Sequence, residues 1–294
     1  MKMHVDCHIH IALNGQNYKE YQNKILQGDY QPIKDVLKEY KKRNVLYLRD
    51  GGDRFGISYI AREFASDEGI TYKTPIYAFC KVGSYGSFLG KPINGIDDFK
   101  NEFRRLLRYK PDHLKLIVSG IVDFSSYGHV TEEMSFDFDE IYYMVQSAKD
   151  ENLQVMVHAN SSKSVRAAIM AGADTIEHGY FILNEELYLM AEKNVIWIPT
   201  LSPLGNLIKY NDKRFEKQMD NIKKIYFNHL ECIRKAVQLG VKIAIGSDAG
   251  SHKVMHGQGC FNEIEHLKKA GLDDEKIKEI AIKNSRLVLN ITND

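Results

Sequence analysis

A chain of 294 residues with 40 Lys and Arg against 39 Asp and Glu carries a formal net charge of +1, so bulk electrostatics gives it no reason to bind nucleic acid or an anionic membrane surface. Its 44% hydrophobic and 27% charged residues are an ordinary globular mix and exclude wholesale disorder. Four scattered cysteines (Cys7, Cys80, Cys232 and Cys260) form no CxxC pair, no apolar run approaches the roughly 18–20 residues of a membrane-spanning helix, and the opening MKMHVDCHIH lacks the apolar core of a signal peptide. A cytoplasmic enzyme or binding protein acting on a small molecule is expected, with self-association left open.

In chain order, short β-branched runs alternate with amphipathic segments. The run Met3–Ile11 opens the chain; Pro32–Arg43 reads as a helix before the run Val45–Arg49, and Arg54–Glu68 as a helix before Pro75–Val82. Helical Asp97–Tyr109 precedes the run His113–Val118, and helical Phe138–Glu151, with Ile141, Val145 and Ala148 on one stripe, precedes Gln154–His158. Then come helix Lys163–Ala171, run Asp174–His178, helix Glu185–Lys193, run Val195–Pro199, a long helix Arg214–Leu239, run Val241–Gly246, and helices Phe261–Ala270 and Asp274–Val288. Gly172, Gly240 and Gly271 stand where left-handed helix stops are expected. Eight strand–helix units predict a parallel sheet closed into a (β/α)8 TIM barrel, one domain over residues 1–294. An open doubly wound sheet is the rival, but no GxGxxG follows a strand.

In such a barrel reactive side chains belong at the C-terminal strand ends. The first run reads Asp6-Cys7-His8-Ile9-His10; the period of two puts Asp6, His8 and His10 on one face, so that two imidazoles reach one ion while Cys7 packs away. His158 closes the fifth run, His178 the sixth, and Asp248 follows the eighth. Each alone has an ordinary structural explanation, a carbonyl-bonded histidine or a capping aspartate. Their joint placement points to a metal centre. Lys115 stands inside the apolar run His113–Val118, where an unpaired ammonium is costly. Addition of carbon dioxide to the neutral amine turns it into an anionic carbamate able to bridge two cations.

The constellation resembles the amidohydrolase superfamily, over nearly the whole chain. Asp6-x-His8-x-His10, Leu48-Arg49-Asp50-Gly51-Gly52, Lys115 through Ser119-Gly120, Glu177-His178-Gly179, Pro199-Thr200-Leu201, Gly246-Ser247-Asp248-Ala249-Gly250 and His256-Gly257 follow the superfamily's order. The Lys115 segment is similar to the branch with Xaa-Pro dipeptidase-like and imidazolonepropionase-like members. The resemblance implies two divalent ions, zinc by default, one held by His8, His10 and Asp248 and the other by His158 and His178, with carboxylated Lys115 and a hydroxide between them. It implies hydrolysis of an amide or cyclic amide C–N bond, with Asp248 as the catalytic proton carrier. The small β-sandwich of many relatives is not expected. A Gly-Gly-His stretch of close relatives is also replaced by Gly83-Ser84-Tyr85-Gly86, which puts dipeptidase specificity in doubt.

Tyr85, Phe88, Tyr127, His129, Tyr180 and His256 fall on expected strand-to-helix loops and are candidates for the substrate pocket. Lys81 is a weaker candidate for a substrate carboxylate. The alternatives are a dipeptidase cleaving Xaa-Pro or N-acyl amino acid bonds on the same residues, and a non-catalytic binding protein on a degenerate barrel. A one-ion deaminase is disfavoured because Ala159-Asn160-Ser161-Ser162 puts no acid after His158.

Overall fold

The computed structural model describes residues 4–291; Met3 and residues 292–294, to which the first run and the tail extend, lie outside them. In chain order the strands are β1 (His4–Ile9), β2 (Val45–Asp50), β3 (Thr71–Lys73), β4 (Ala78–Lys81), β5 (Lys91–Ile93), β6 (His113–Ile117), β7 (Gln154–Ala159), β8 (Thr175–His178) and β9 (Ile196–Ile198). Helices α1 (Tyr18–Leu26) and α2 (Gln31–Lys42) follow β1; α3 (Ile57–Asp67) follows β2; α4 (Ile96–Leu107) and α5 (Phe138–Asp150) flank β6. Beyond β7, β8 and β9 come α6 (Ser162–Ala171), α7 (Asn184–Lys193) and α8 (Ser202–Lys209), and then α9 (Met219–Gln238), α10 (Gln258–Lys269), α11 (Asp274–Glu279) and α12 (Ser285–Leu289).

The strands pair in the orders β1-β2-β3 and β5-β4-β6-β7-β8-β9, and every ladder is parallel. With helices between most successive strands, this is a TIM-barrel-like α/β fold. The expected strand at Pro75–Val82 is shortened at its start to β4, and β3 just before it and β5 after it are strands that periodicity did not reveal. Pro75 has no N–H to give and Ile76 turns to φ 67°, so β3 before the break pairs with β2 and β4 after it pairs with β6. The expected run Val241–Gly246 makes bridges rather than a ladder, Trp197 to Ile243 and Ile9 to Ala249. Residues 241–249 therefore lie between β9 and β1, held by Ala244 N–H to Trp197 O and Cys7 N–H to Ile245 O.

Two helices were not anticipated from periodicity. α1 starts on the Asn17 cap, and α8 carries its proline in the first turn, where no amide is needed. The long helix expected over Arg214–Leu239 is a 3₁₀ turn, Lys213–Gln218, running into α9, with non-helical backbone at Phe215. The last expected helix is interrupted by a π turn between α11 and α12.

Burial follows the stripes. α5 buries Ile141, Met144, Val145 and Ala148 behind an Asp137/Glu140 capping box. α4 buries Phe99, Phe103 and Leu106, and Phe99 meets Phe79 of β4 edge-on with ring centroids 5.3 Å apart. No helix among the described residues is long and apolar enough to cross a membrane. Phe99 is fully buried, so Phe99→Ala is expected to lower unfolding free energy by about 3–5 kcal/mol. Urea denaturation checks this, as a shift in midpoint at unchanged slope.

Candidate metal centre and active-site cavity

β1 delivers His8, and the chain leaving it delivers His10. One ligand-capable atom from each, and one from Asp248, lie within 4.8 Å of one another. Asp248 Oδ1 is 3.4 Å from His8 Nε2 and 3.3 Å from His10 Nε2, and the two Nε2 atoms are 3.3 Å apart. Sequence positions separated by 238 residues meet because residues 241–249 run alongside β1. Asp248 N–H donates to His8 O at 2.8 Å and His10 N–H to Ala249 O at 2.7 Å. Asp6 fixes this seam, accepting from Ser247 N–H at 2.8 Å and Ser247 Oγ–H at 2.6 Å; burial pushes its carboxyl up to about 7. Its carboxylate is thus spent on the backbone beside Asp248.

Two glycines make room for the imidazoles. A Cβ on Gly51 would come 2.4 Å from His10 Cε1, and one on Gly246 2.8 Å from His8 Cβ. Cys7, alternating away from the histidines, packs with Ile198, Ala244 and Val288.

β7 and β8 bring His158 and His178 alongside, their ring centroids 4.6 Å apart, with His178 4.9 Å from His8. Each ring is aimed by its other nitrogen. His8 Nδ1 lies 2.5 Å from Glu177 Oε2, His178 Nδ1 2.7 Å from Thr200 Oγ1, and His158 Nε2 3.3 Å from Gly120 O. In the tautomers in which these nitrogens donate, lone pairs are left on His8 Nε2, His178 Nε2 and His158 Nδ1; Asn160 Nδ2 also lies 3.2 Å from His158 Nε2. Glu177 is held in turn by Arg49 Nη2 at 2.8 Å and Thr175 Oγ1 at 2.5 Å. Burial drives the His8 and His178 rings well below the ordinary imidazole range, and His158 down to about 3. These rings are neutral near pH 7, the form that ligates cations. Backbone φ is positive at His178 (66°), Thr200 (48°) and Asp248 (57°), uncommon for non-glycine residues. The fully buried Trp197 fixes one of these turns, its Nε1–H donating to His178 O at 2.9 Å.

Lys115, midway along β6, is 2% exposed and its Nζ has no hydrogen-bond partner. Burial lowers its pKa to about 8. Clustered neutral imidazoles, a carboxylate and an unpartnered buried amine form a donor set that fits a divalent cation.

A cavity of ≈ 430 Å³ opens over this floor. His10, Lys115, His158, His178 and Asp248 lie on its wall, as do Tyr85, Phe88 and Tyr180. Tyr127 and His256 do not. Tyr127 stacks under Lys224, 4.1 Å from its centroid. His256 is buried with both ring nitrogens engaged, Nδ1 by Tyr40 at 2.9 Å and Nε2 by Leu13 O at 2.7 Å. His129 is exposed, and Lys81 pairs with Glu140 at 2.5 Å. Residues that the sequence reading did not place here also line the cavity: Tyr18, Phe124, Leu204, Arg214, Phe215 and His252. Several come from α1, α8 and the 3₁₀ turn, elements that periodicity alone did not reveal.

Residues 85–281 match the model of the amidohydrolase family, and the chain belongs to that family. Among curated proteins, ochratoxinase from Aspergillus niger is 24% identical over 275 residues, which cover 83% of this chain but 56% of ochratoxinase. The chain thus spans little more than half the length of that relative. Among solved structures, a Xaa-Pro dipeptidase with bound methionine superposes with a TM-score of 0.80 at 23% identity, over 98% of this chain and 75% of the other. The crystal structure of A. niger ochratoxinase gives 0.82 at 17% identity, over 98% and 71%. These two superpositions describe a shared fold.

Glu177→Gln retains an acceptor for His8 but removes the charge shared with Arg49. It is expected to weaken divalent-ion affinity about 10- to 100-fold, measured by competition with a chromophoric chelator, and to lower thermal stability because Arg49 stays buried without its counter-charge.

Proposed function

We propose that the chain is a metal-dependent amidohydrolase that cleaves an amide or cyclic amide C–N bond at a two-ion centre, on a closed (β/α)8 barrel formed by one domain. The observation that carries this reading is the convergence of His8, His10 and Asp248 within 4.8 Å on the floor of a cavity shared with His158, His178 and the unpartnered amine of Lys115.

In this reading His8, His10 and Asp248 hold one ion and His158 and His178 the other, zinc being the metal that imidazole and carboxylate donors suit. Lys115, on the same cavity wall, would bridge the two sets. With its pKa lowered to about 8, about a tenth of the amine is neutral at pH 7. The neutral amine adds carbon dioxide, forming an N–C bond and releasing one proton, and the resulting carbamate replaces a cation with an anion. Divalent ions held there supply Lewis acidity for ionising water and polarising a carbonyl. Asp248, whose side chain is 12% exposed toward the cavity, accepts the water proton and returns it to the departing amine nitrogen as the C–N bond breaks. Glu177 and Thr200 keep the imidazoles aimed while charge redistributes, and Tyr85, whose ring lies 5.4 Å from that of His158, screens this side of the floor from water.

One observation favours a dipeptidase or N-acyl amino acid hydrolase on the same residues: Arg214 lies on the cavity wall as a counter-charge for a substrate carboxylate, whereas Lys81 is engaged by Glu140. One of the solved structures that share this fold is a Xaa-Pro dipeptidase.

Lys115→Ala is expected to retain one ion per chain and lose hydrolysis by about 10³-fold or more, with partial recovery of both in short carboxylic acids. Elemental analysis with turnover of an amide panel checks this, and a variant with two ions and full activity would remove the carbamate from the account. Arg214→Met is expected to raise KM for carboxylate-bearing substrates by roughly tenfold while leaving KM for neutral amides in place, read from matched acid and amide pairs.

A further inference from the structure

The cavity above the metal-ligating floor is walled mainly by carbon. Its rim and sides carry Leu13, Leu89, Ile121, Val122, Leu204 and Leu207, and among them two aromatic groups. The first is a ladder of rings rising from the floor: Tyr85 lies 5.4 Å from His158, Phe88 5.9 Å from Tyr85, and Tyr18 6.3 Å from Phe88. The second joins Phe124 to Phe215 edge-on at 5.5 Å, with His252 6.4 Å beyond. Phe88 is 43% exposed, and Tyr18, Phe124 and Phe215 are only partly buried. A grouped apolar surface left open around a pocket costs free energy in the free protein and returns it on binding. At the mouth His252 is already paired, its Nε2 lying 2.6 Å from Asp212 Oδ2, and Asp212 also caps the 3₁₀ turn that carries Phe215.

We infer that the substrate is an amide one half of which is a bulky apolar, preferably aryl, group, seated on the Tyr18–Phe88 and Phe124–Phe215 rings, and that these four residues select it over small or polar amides. This rests on the amidohydrolase reading and goes further by naming the substrate class. The volume of ≈ 430 Å³ lies within the roughly 300–1,000 Å³ of pockets that enclose drug-sized ligands, more than a short polar amide fills. Partly exposed rings offer flat faces for offset or edge-on contact with another ring. The sources of the specificity are α1, the loops after β4 and β6, and the 3₁₀ turn, rather than the residues that carry the reaction groups.

The test uses zinc-loaded wild-type protein and two matched series of amides, one varying the acyl half and the other the amine half from methyl through phenyl to naphthyl. In at least one series kcat/KM is expected to rise by about tenfold or more from methyl to naphthyl, and that ratio to collapse in the Phe124→Ala/Phe215→Ala variant. Calorimetry with an uncleavable pair, a naphthalenesulfonamide and a methanesulfonamide of one amine, reads the same preference without turnover. Rates that stay flat across both series, with hydrolysis intact, would overturn the aryl site and leave the hydrolase reading standing. If no amide is hydrolysed, the hydrolase reading falls and calorimetry alone decides: tighter naphthyl binding by about tenfold upholds the site, and parity overturns it. Should the double variant lose its circular-dichroism signature, Phe88→Ala, at an exposed rim position, takes its place.

Discussion

A buried amine with no partner, set beside neutral imidazoles whose lone pairs converge, is an electrostatic arrangement that a protein interior does not tolerate without compensation. Lys115 Nζ meets no acceptor, and the rings of His8, His158 and His178 are held in their uncharged form by burial. In its protonated form Lys115 is a buried ammonium with no hydrogen-bond partner, and a cation bound to the imidazoles would repel it. Converting the amine into an anion and placing cations between it and the imidazoles satisfies every group at once. The proposed chemistry follows from that single resolution.

The rest of the molecule serves to keep those groups where they are. Strands deliver them in parallel, so that their C-terminal ends face one cavity. The seam between β1 and residues 241–249, pinned by Asp6 on Ser247, brings Asp248 to His8 and His10 from the far end of the chain. Behind the histidines, Arg49 and Thr175 hold Glu177 and Glu177 holds His8. Positive φ at His178, Thr200 and Asp248 turns their side chains toward the floor at a backbone cost that the surrounding hydrogen bonds offset. Trp197, buried and donating to His178 O, is one of the residues that hold such a turn.

Much of this was legible in the sequence because strand periodicity and chemistry coincide. The spacing of His8 and His10, the histidines closing the runs that became β7 and β8, and Asp248 after the last run all mark strand ends, and the structure gathers them. Lys115 was visible as a charge in an apolar run. Glu177 and Arg49 were seen only as motif letters, because a buried carboxylate–guanidinium pair across strands leaves no periodic trace. The late start of β4 after Pro75–Ile76, the short strands β3 and β5, and the ladderless run at Val241–Gly246 depend on neighbours that a linear pattern does not contain. Tyr127 and His256 looked like pocket residues from loop position alone. Whether a loop side chain turns to a cavity or, as with His256, to Tyr40 and Leu13 O is decided by tertiary packing, as are the contributions of Tyr18, Phe124 and Phe215.

Cations and a modified Lys115 are proposed to share this floor. A crystal structure of the zinc-loaded protein, with anomalous diffraction measured on both sides of the zinc edge, tests it most directly. Two anomalous peaks are expected, one against His8, His10 and Asp248 and one against His158 and His178, with density for three additional atoms on Lys115 Nζ between them. A bare Lys115 amine with no anomalous peak within reach of these side chains would contradict it.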